Sequence, residues 1–317
     1  MNKTLTASLF ILCSLNVLAK DGHLTEFVGT SGQINWTDAS VSAIGYGVAP
    51  PDKNPNVAPF LACRAAIVDA QRNLLESFQG VRVTTTTLVS NYMLTSDVIK
   101  SSVEGTIKGA IIKSRNNRLD GSCKIELQAP LRGKTSKSIY QNLYSEELST
   151  SLLNSFWSNW ISTAHAATLN TSNTQQVVEK IAELDKRISV LEKHLTTNKV
   201  NEIQLNDISG IVIDVRGTHF MPSLTPKIRK ANGDILYPSR DNTQDIINNG
   251  QLVSLFSNNI NFAMEHPLIG EYPLLIKANK TWQDQATEIS LSEKNSNKLA
   301  HFIKKGLLRN ISVIIVL

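Results

Sequence analysis

The spacing of apolar residues along this chain changes several times, and each change marks an element or a boundary. Between Gln33 and Ala49 the alternation of Ile34, Trp36, Val41 and Ala43 predicts a strand. It runs into a Gly-rich turn, Gly45-Tyr46-Gly47, closed by Pro50-Pro51. Residues 58–79 carry the clearest helical pattern. Leu61, Ala65, Val68 and Leu75 form one stripe and Ile67, Ala70, Leu74 and Phe78 a second, and Gly80 stands where a helix stops. Val81 to Asn91 is rich in Val and Thr and predicts another strand. Thr95-Ser96-Asp97 can cap a short helix through Val103. Thr106 to Ile112 and Ser122 to Leu131 then predict a hairpin around Asn116, Asn117, Asp120 and Gly121.

Residues 134–174 change character, being rich in Ser, Thr and Asn yet containing Leu148, Leu152, Leu153, Phe156, Trp157, Trp160 and Ile161. Two readings stand side by side. The aromatic segment is either an amphipathic helix resting on a membrane or partner through Phe156, Trp157 and Trp160, or a helix covering the adjacent domain. Residues 175–198 carry a heptad, with Ile181, Ile188 and Leu195 at a and Val177, Leu184 and Leu191 at d. Lys180 and Arg187 fall at g, Asp185 and Glu192 at e. In a parallel homodimer each base therefore faces an acid of the partner chain. The competing reading is a single amphipathic helix packed on its own protein.

Residues 205–317 predict a second domain. Ile208 to Gly217 reads as a buried strand, and Asn232-Gly233 as the turn of a hairpin between Lys227-Ile228 and Ile235-Leu236-Tyr237. A helix is predicted over Leu252 to Met264, a strand over Leu274 to Ala278 and a helix over Lys298 to Leu307. The terminal run Ile311 to Leu317 must be a central strand or an assembly surface, because an exposed edge of that composition aggregates. The whole is an α+β protein: a small sheet-plus-helix domain over 33–133, a linker over 134–174, a helical coiled coil over 175–198 and a second α+β domain.

The first residues bear on where such a chain works. Lys3 precedes an apolar run from Leu5 to Val17, and Val17-Leu18-Ala19 offers the small or short residues a signal peptidase reads, so residues 1–19 read as a removed secretory signal. That run is shorter than the roughly 20 residues a spanning helix needs, and no transmembrane helix is expected after cleavage. Leu12 before Cys13 does not fit a lipidation site. The expected location is the periplasm or the outer-membrane surface. Cys63 and Cys123 then remain, either paired in an oxidising compartment or present as two buried thiols. The net charge of +5 is spread over scattered Lys and Arg, which points to a solvated surface and not to nucleic acid.

The sequence contains no recognisable catalytic constellation. The six histidines, His23, His165, His194, His219, His266 and His301, are dispersed, and there is no His-Glu-x-x-His, Cys-x-x-Cys or Gly-x-Ser-x-Gly pattern. Gly45-Tyr46-Gly47 lacks the third glycine of a nucleotide loop and reads as a turn. Asp214, Arg216 and His219 form the densest polar cluster. A structural Asp–Arg pair is the expectation there, with a hydrolytic site as the competing idea. No cofactor, metal or catalytic residue is assigned.

Trp36, Gly45-x-Gly47-x-x-Pro50, Ala65-Ala66 through Asp69-Ala70, Arg72-Asn73-Leu74 with Glu76, Gly80-Val81, Gly105 and Gly109 together resemble the LPP-twenty-like lipoprotein family. That group includes the flagellar assembly lipoprotein FlgP and is similar to the N-terminal domain of the flagellar ring protein FlgT. The second domain, through Gly210-x-Val212-Ile213-Asp214-x-Arg216-Gly217 and Pro222-x-Leu224-x-Pro226-x-Ile228, resembles the C-terminal region of longer members. The resemblance implies a non-catalytic envelope scaffold that builds rings or disks around the flagellar motor, although this chain lacks the lipobox. The alternative is a periplasmic or surface adaptor that recognises peptidoglycan, glycan or another envelope protein.

Overall fold

A computed structural model of the protein describes residues 22–144, 208–278, 280–304 and 312–317. The heptad residues Val177, Lys180, Ile181, Leu184, Asp185, Arg187, Ile188, Leu191, Glu192 and Leu195, the aromatic trio Phe156, Trp157 and Trp160, and the signal segment lie outside the described residues. The fold class is mixed α+β, with an N-terminal sheet-plus-helix domain and a separate C-terminal domain.

In the first domain, β1 (Thr25–Val28), β2 (Gly32–Asn35), β3 (Ser40–Gly47), β4 (Ile111–Asn117) and β5 (Cys123–Pro130) form an antiparallel sheet in the order β1-β2-β3-β5-β4. The 22-residue helix α1 (Ala58–Gln79) lies across its centre. The run from Gln33 to Ala49 is therefore a hairpin and not one strand. Trp36 and Thr37 sit at its corner, and Ala39 adopts a positive φ of 48° that turns the chain back.

Gly45 and Gly47 are not a turn either. They lie inside β3 on the face covered by α1, where no side chain fits. A Cβ on Gly45 would stand 2.2 Å from Ala70 N, and one on Gly47 2.1 Å from Ala62 O. The helix answers with Ala62, Ala66 and Ala70, all buried, so its backbone settles onto the strand. Here β2 has already ended, its last rung on β3 being Gly32 with Ala43. Two α1 side chains one turn apart satisfy the backbone that β2 leaves behind. Asn73 Nδ2 donates to Ile44 O at 2.7 Å, and Tyr46 N donates to Asp69 Oδ2 at 2.9 Å.

Of the two apolar stripes read on α1, the one through Ala70, Leu74 and Phe78 is buried. Val68 of the other is 58% exposed, as is Phe60 at 64%. The segment from Val81 does not form a strand. Val83 N donates to Thr87 O and Val89 N to Val81 O, which folds the threonine run into a tight loop followed by helix α2 (Val89–Thr95). Threonine hydroxyls compete for the backbone here, Thr84 Oγ1 accepting from Thr87 N. Ser96 caps α3 (Asp97–Lys108), whose helix continues through Thr106-Ile107. The hairpin strand therefore begins only at Ile111.

The expected linker starts as ordered structure. Residues 134–144 are helical, and we label this helix α4; Thr135, Ser136, Ile139, Tyr140 and Tyr144 on it are buried.

In the second domain β6 (Gly210–Asp214), β9 (Leu255–Ser257), β10 (Pro273–Lys277) and β13 (Ser312–Val316) form a parallel sheet in the order β10-β6-β13-β9. The terminal apolar run is thus an interior strand, and β6 is buried at every residue, as continuous apolar runs in parallel sheets are. A second sheet, β11 (Lys280–Trp282), β12 (Gln285–Ser290), β7 (Lys227–Arg229) and β8 (Ile235–Tyr237), contains the expected Asn232-Gly233 hairpin. Helix α5 (Arg240–Asn249) ends at Gly250, which takes a left-handed φ of 64°. The predicted helix over 252–264 divides into β9 and the short α6 (Ile260–Glu265), because Asn259 Oδ1 accepts from Asn261 N and Phe262 N and starts the helix afresh. Helix α7 runs Glu293–Lys304, beginning before the predicted Lys298.

Two glycine substitutions test the close approach of α1 to β3. Gly47→Val is expected to cost roughly 3 kcal/mol, since the helix backbone must move away. Gly105→Ala, in α3 with open space around its Cβ, is expected to gain about 0.5–1 kcal/mol. Urea denaturation of the two variants beside wild type reads both.

Candidate functional site

The described residues concentrate their long-range polar contacts at one place, the seam between the two domains. Arg82, at the start of the threonine loop, has a side chain only 16% exposed. Its Nη2 donates to Glu26 Oε1 at 2.8 Å, and its Nη1 donates to Pro222 O of the second domain at 2.7 Å. Glu26 Oε2 in turn accepts from Trp36 Nε1 at 2.9 Å. Trp36 meets Phe256 edge to face across the seam with ring centres 5.8 Å apart, and Phe256 stacks on Phe220.

Backbone pairing runs alongside. Leu224 N donates to Arg82 O, and Thr225 donates to Val83 O from both its backbone N and its hydroxyl. The loop that failed to form a strand in its own sheet therefore pairs with residues 224–225. Thr85 and Thr287 share a hydroxyl contact at 2.9 Å. Helix α4 adds Ser136 Oγ to Gly250 O at 2.6 Å and Tyr140 OH to Leu224 O at 2.9 Å.

Residues 22 and 23 complete the joint. His23 bridges Ser257 at the free edge of β9, Asn258 Nδ2 donates to His23 O, and Ser257 Oγ donates to Gly22 O. A Cβ on Gly22 would meet Phe262 at 2.2 Å. Thr37 Oγ1, at the corner of the first hairpin, donates to Phe256 O at 2.6 Å. Residues 22 and 23 thus lie on the second domain, immediately before the chain enters the sheet of the first.

A cavity of about 40 Å³ lies in this seam, between Trp36, Leu131, Arg132 and Tyr140 on one side and Ser223, Leu252 and Phe256 on the other. It holds roughly three waters at ~10–15 Å³ each, far below the hundreds of cubic ångströms that enclose a metabolite. Burial pushes the hydroxyls of Tyr140 and Tyr237 up, so both remain neutral donors. No group of three or more His, Cys, Asp or Glu able to hold a metal occurs among the described residues.

The polar cluster singled out in the sequence is an ion pair at the end of β6. Arg216 Nε and Nη2 each reach one oxygen of Asp214 at 2.9 Å, and Arg216 N adds a third bond at 3.1 Å. These bonds hold the Asp214 carboxyl below its ordinary pKa. His219 is exposed and forms no hydrogen bond with the pair.

Cys63 of α1 and Cys123 at the start of β5 are joined in a disulfide, Cα atoms 4.9 Å apart. It ties the helix to the strand beside Gly47, the partner of Cys123 across the sheet. The seam itself was not signalled by the sequence. Trp36 and Arg82 were visible as residues, but their partners lie about 220 and 140 positions away.

Residues 210–317 match the family model described as the second domain of Tp0624 from Treponema pallidum. The match begins at the first residue of β6 and covers the second domain alone. No curated protein matches the chain. No described helix is long and apolar enough to cross a membrane.

Two measurements follow from these contacts. Replacing Cys63 and Cys123 together by Ala opens a loop spanning 60 residues of sequence and is expected to cost about 4 kcal/mol on the chain-entropy account. The urea midpoint of wild type should fall to that of the variant on adding reductant, while the variant ignores it. For Asp214, a lowered folded pKa means that its contribution is complete above the ordinary carboxylate pKa of about 3.9 and is lost as pH falls through the folded value. Asp214→Asn should therefore be less stable than wild type near neutrality, with the difference closing as pH drops below about 4.

Proposed function

We propose that this chain is an exported, non-catalytic scaffold of the bacterial envelope that self-associates through residues 175–198. The observation that carries the reading is the seam. Hydrogen bonds from Arg82, Thr37, Thr85, Thr225, Ser136 and Tyr140 lock the two domains into one body. The interval between them, 145–207, contains the heptad of Val177, Ile181, Leu184, Ile188, Leu191 and Leu195. A rigid body with one self-complementary segment set into it is a building unit: the body fixes shape, and the segment brings copies into register.

The disulfide supports export, because such bonds persist in oxidising compartments. The small seam cavity supports a structural role over turnover of a metabolite. The likeness of residues 34–133 to flagellar assembly lipoproteins supports a ring or disk at the motor as the setting of this assembly.

The test is the solution mass of the full mature chain carrying Leu184→Asp and Ile188→Asp. Wild type is expected to run as an oligomer by light scattering and the double variant as a monomer with an unchanged melting temperature. A variant of unchanged mass would sink the proposal.

A further inference from the structure

The seam cavity has two features that domain packing leaves unexplained. Arg132 lines it with a half-buried guanidinium that donates to Ser254 O, yet no carboxylate among the described residues reaches it within 4.0 Å. Asp38 acts on it only through a longer-range field, and burial pulls the guanidinium pKa down. A guanidinium offers five donors, and one carbonyl leaves most of them unused. The second feature is Ser223, which is 1% exposed and lines the same cavity, with a hydroxyl that has no hydrogen-bond partner. A buried hydroxyl without a partner is costly, and native proteins seldom retain one.

The remaining wall is apolar or neutral, made by Trp36, Leu131, Leu252, Val253 and Phe256 with Gln251 at its side, and carries no acidic residue. A half-buried cation, an idle hydroxyl and an absence of competing anions suit the recognition of a carboxylate. The volume agrees, since about 40 Å³ takes roughly three waters or one carboxylate group. The cavity is also partly open, so a larger molecule can insert its acidic end and leave the rest outside.

We propose that this cavity binds a carboxylate, with Arg132 holding the charge and the Ser223 hydroxyl donating a second hydrogen bond. The site stands apart from the self-association proposed above and does not depend on it. The ligand is either a small free acid or the carboxyl terminus of a peptide, and both present the same group.

The test is two-dimensional NMR on the mature chain, following the Trp36 indole and Gln251 amide signals during titration with sodium acetate, with acetamide at the same ionic strength as control. Wild type should show a saturable shift with acetate and none with acetamide. Ser223→Ala loses no native hydrogen bond, so it should fold as wild type does and bind acetate about tenfold more weakly. Arg132→Gln should not respond. A parallel titration with N-acetyl-alanyl-alanine and its amide separates the sources. Tighter binding of the acid than of acetate, with none of the amide, identifies a peptide terminus; equal binding of the two acids identifies a small free acid. The proposal is overturned if wild type shows no saturable response to about 100 mM acetate, or if Ser223→Ala binds as wild type does.

Discussion

Arg82 carries a charge that its surroundings cannot leave alone. Its side chain is largely withdrawn from water, and an unpaired cation there would be strongly destabilising. The acceptors that satisfy it come from two places, Glu26 of β1 and Pro222 O of the second domain, and Glu26 in turn accepts from the indole of Trp36. The geometry of one residue thus fixes the edge of the first sheet, the corner of the first hairpin and the entry to the second domain relative to each other. Losing Glu26 or the Pro222 carbonyl would leave the largely buried Arg82 guanidinium short of acceptors, which is how a small network couples distant parts of a chain. The backbone bonds of Leu224 and Thr225 to Arg82 and Val83 extend that coupling along the threonine loop.

A second constraint operates inside the first domain. Antiparallel sheets satisfy their backbone by adding strands, and β2 is too short to cover the end of β3. Asp69 and Asn73 take over from α1, which works only if the helix lies almost in contact with the strand. Gly45, Gly47, Ala62, Ala66 and Ala70 permit that approach. The small residues and the polar pair are therefore one device: enlarging the former would pull the latter out of reach. The disulfide between Cys63 and Cys123 fastens the same helix to the same end of the sheet.

Parts of this were legible in the sequence, and the reasons differ by element. The period of α1, the Asn-Gly turn and the long apolar runs of β6 and β13 each carry a strong local signal, and the structure has those elements in place. The β9 run could not be separated from a helix by periodicity, since Leu252 to Phe256 reads equally well as either until the capping role of Asn259 is seen. The threonine loop has strand composition, but its backbone pairs partly within the loop and partly with residues 224 and 225 of the other domain, and composition carries no information about partners so far away. Gly45 and Gly47 read as a turn from the sequence because Pro50-Pro51 follow them. Here the glycines mark the near approach of another backbone. The pairing of Asp214 with Arg216 was foreseeable, because residues two apart at a strand end lie close whatever the tertiary fold.

Residues 22 and 23 set a further condition on how the body is built. Gly22 and His23 occupy the edge of β9, the outermost strand of a sheet whose central strand is the last in the chain. Residues 22 and 23 and the strand β13 therefore share one sheet, the former through the hydrogen bonds of Ser257 and Asn258. A chain closed in this way has high contact order, and its last interactions cannot form until β13 has joined β6 and β9. The edge that would otherwise stay open, a site for unwanted pairing with other chains, is met by residues 22 and 23 of the protein's own chain. For a protein proposed to assemble with copies of itself this matters physically: with the β9 edge occupied, association is directed to surfaces other than an indiscriminate strand edge. Order in such an assembly depends as much on the edges that are closed as on the segments that pair.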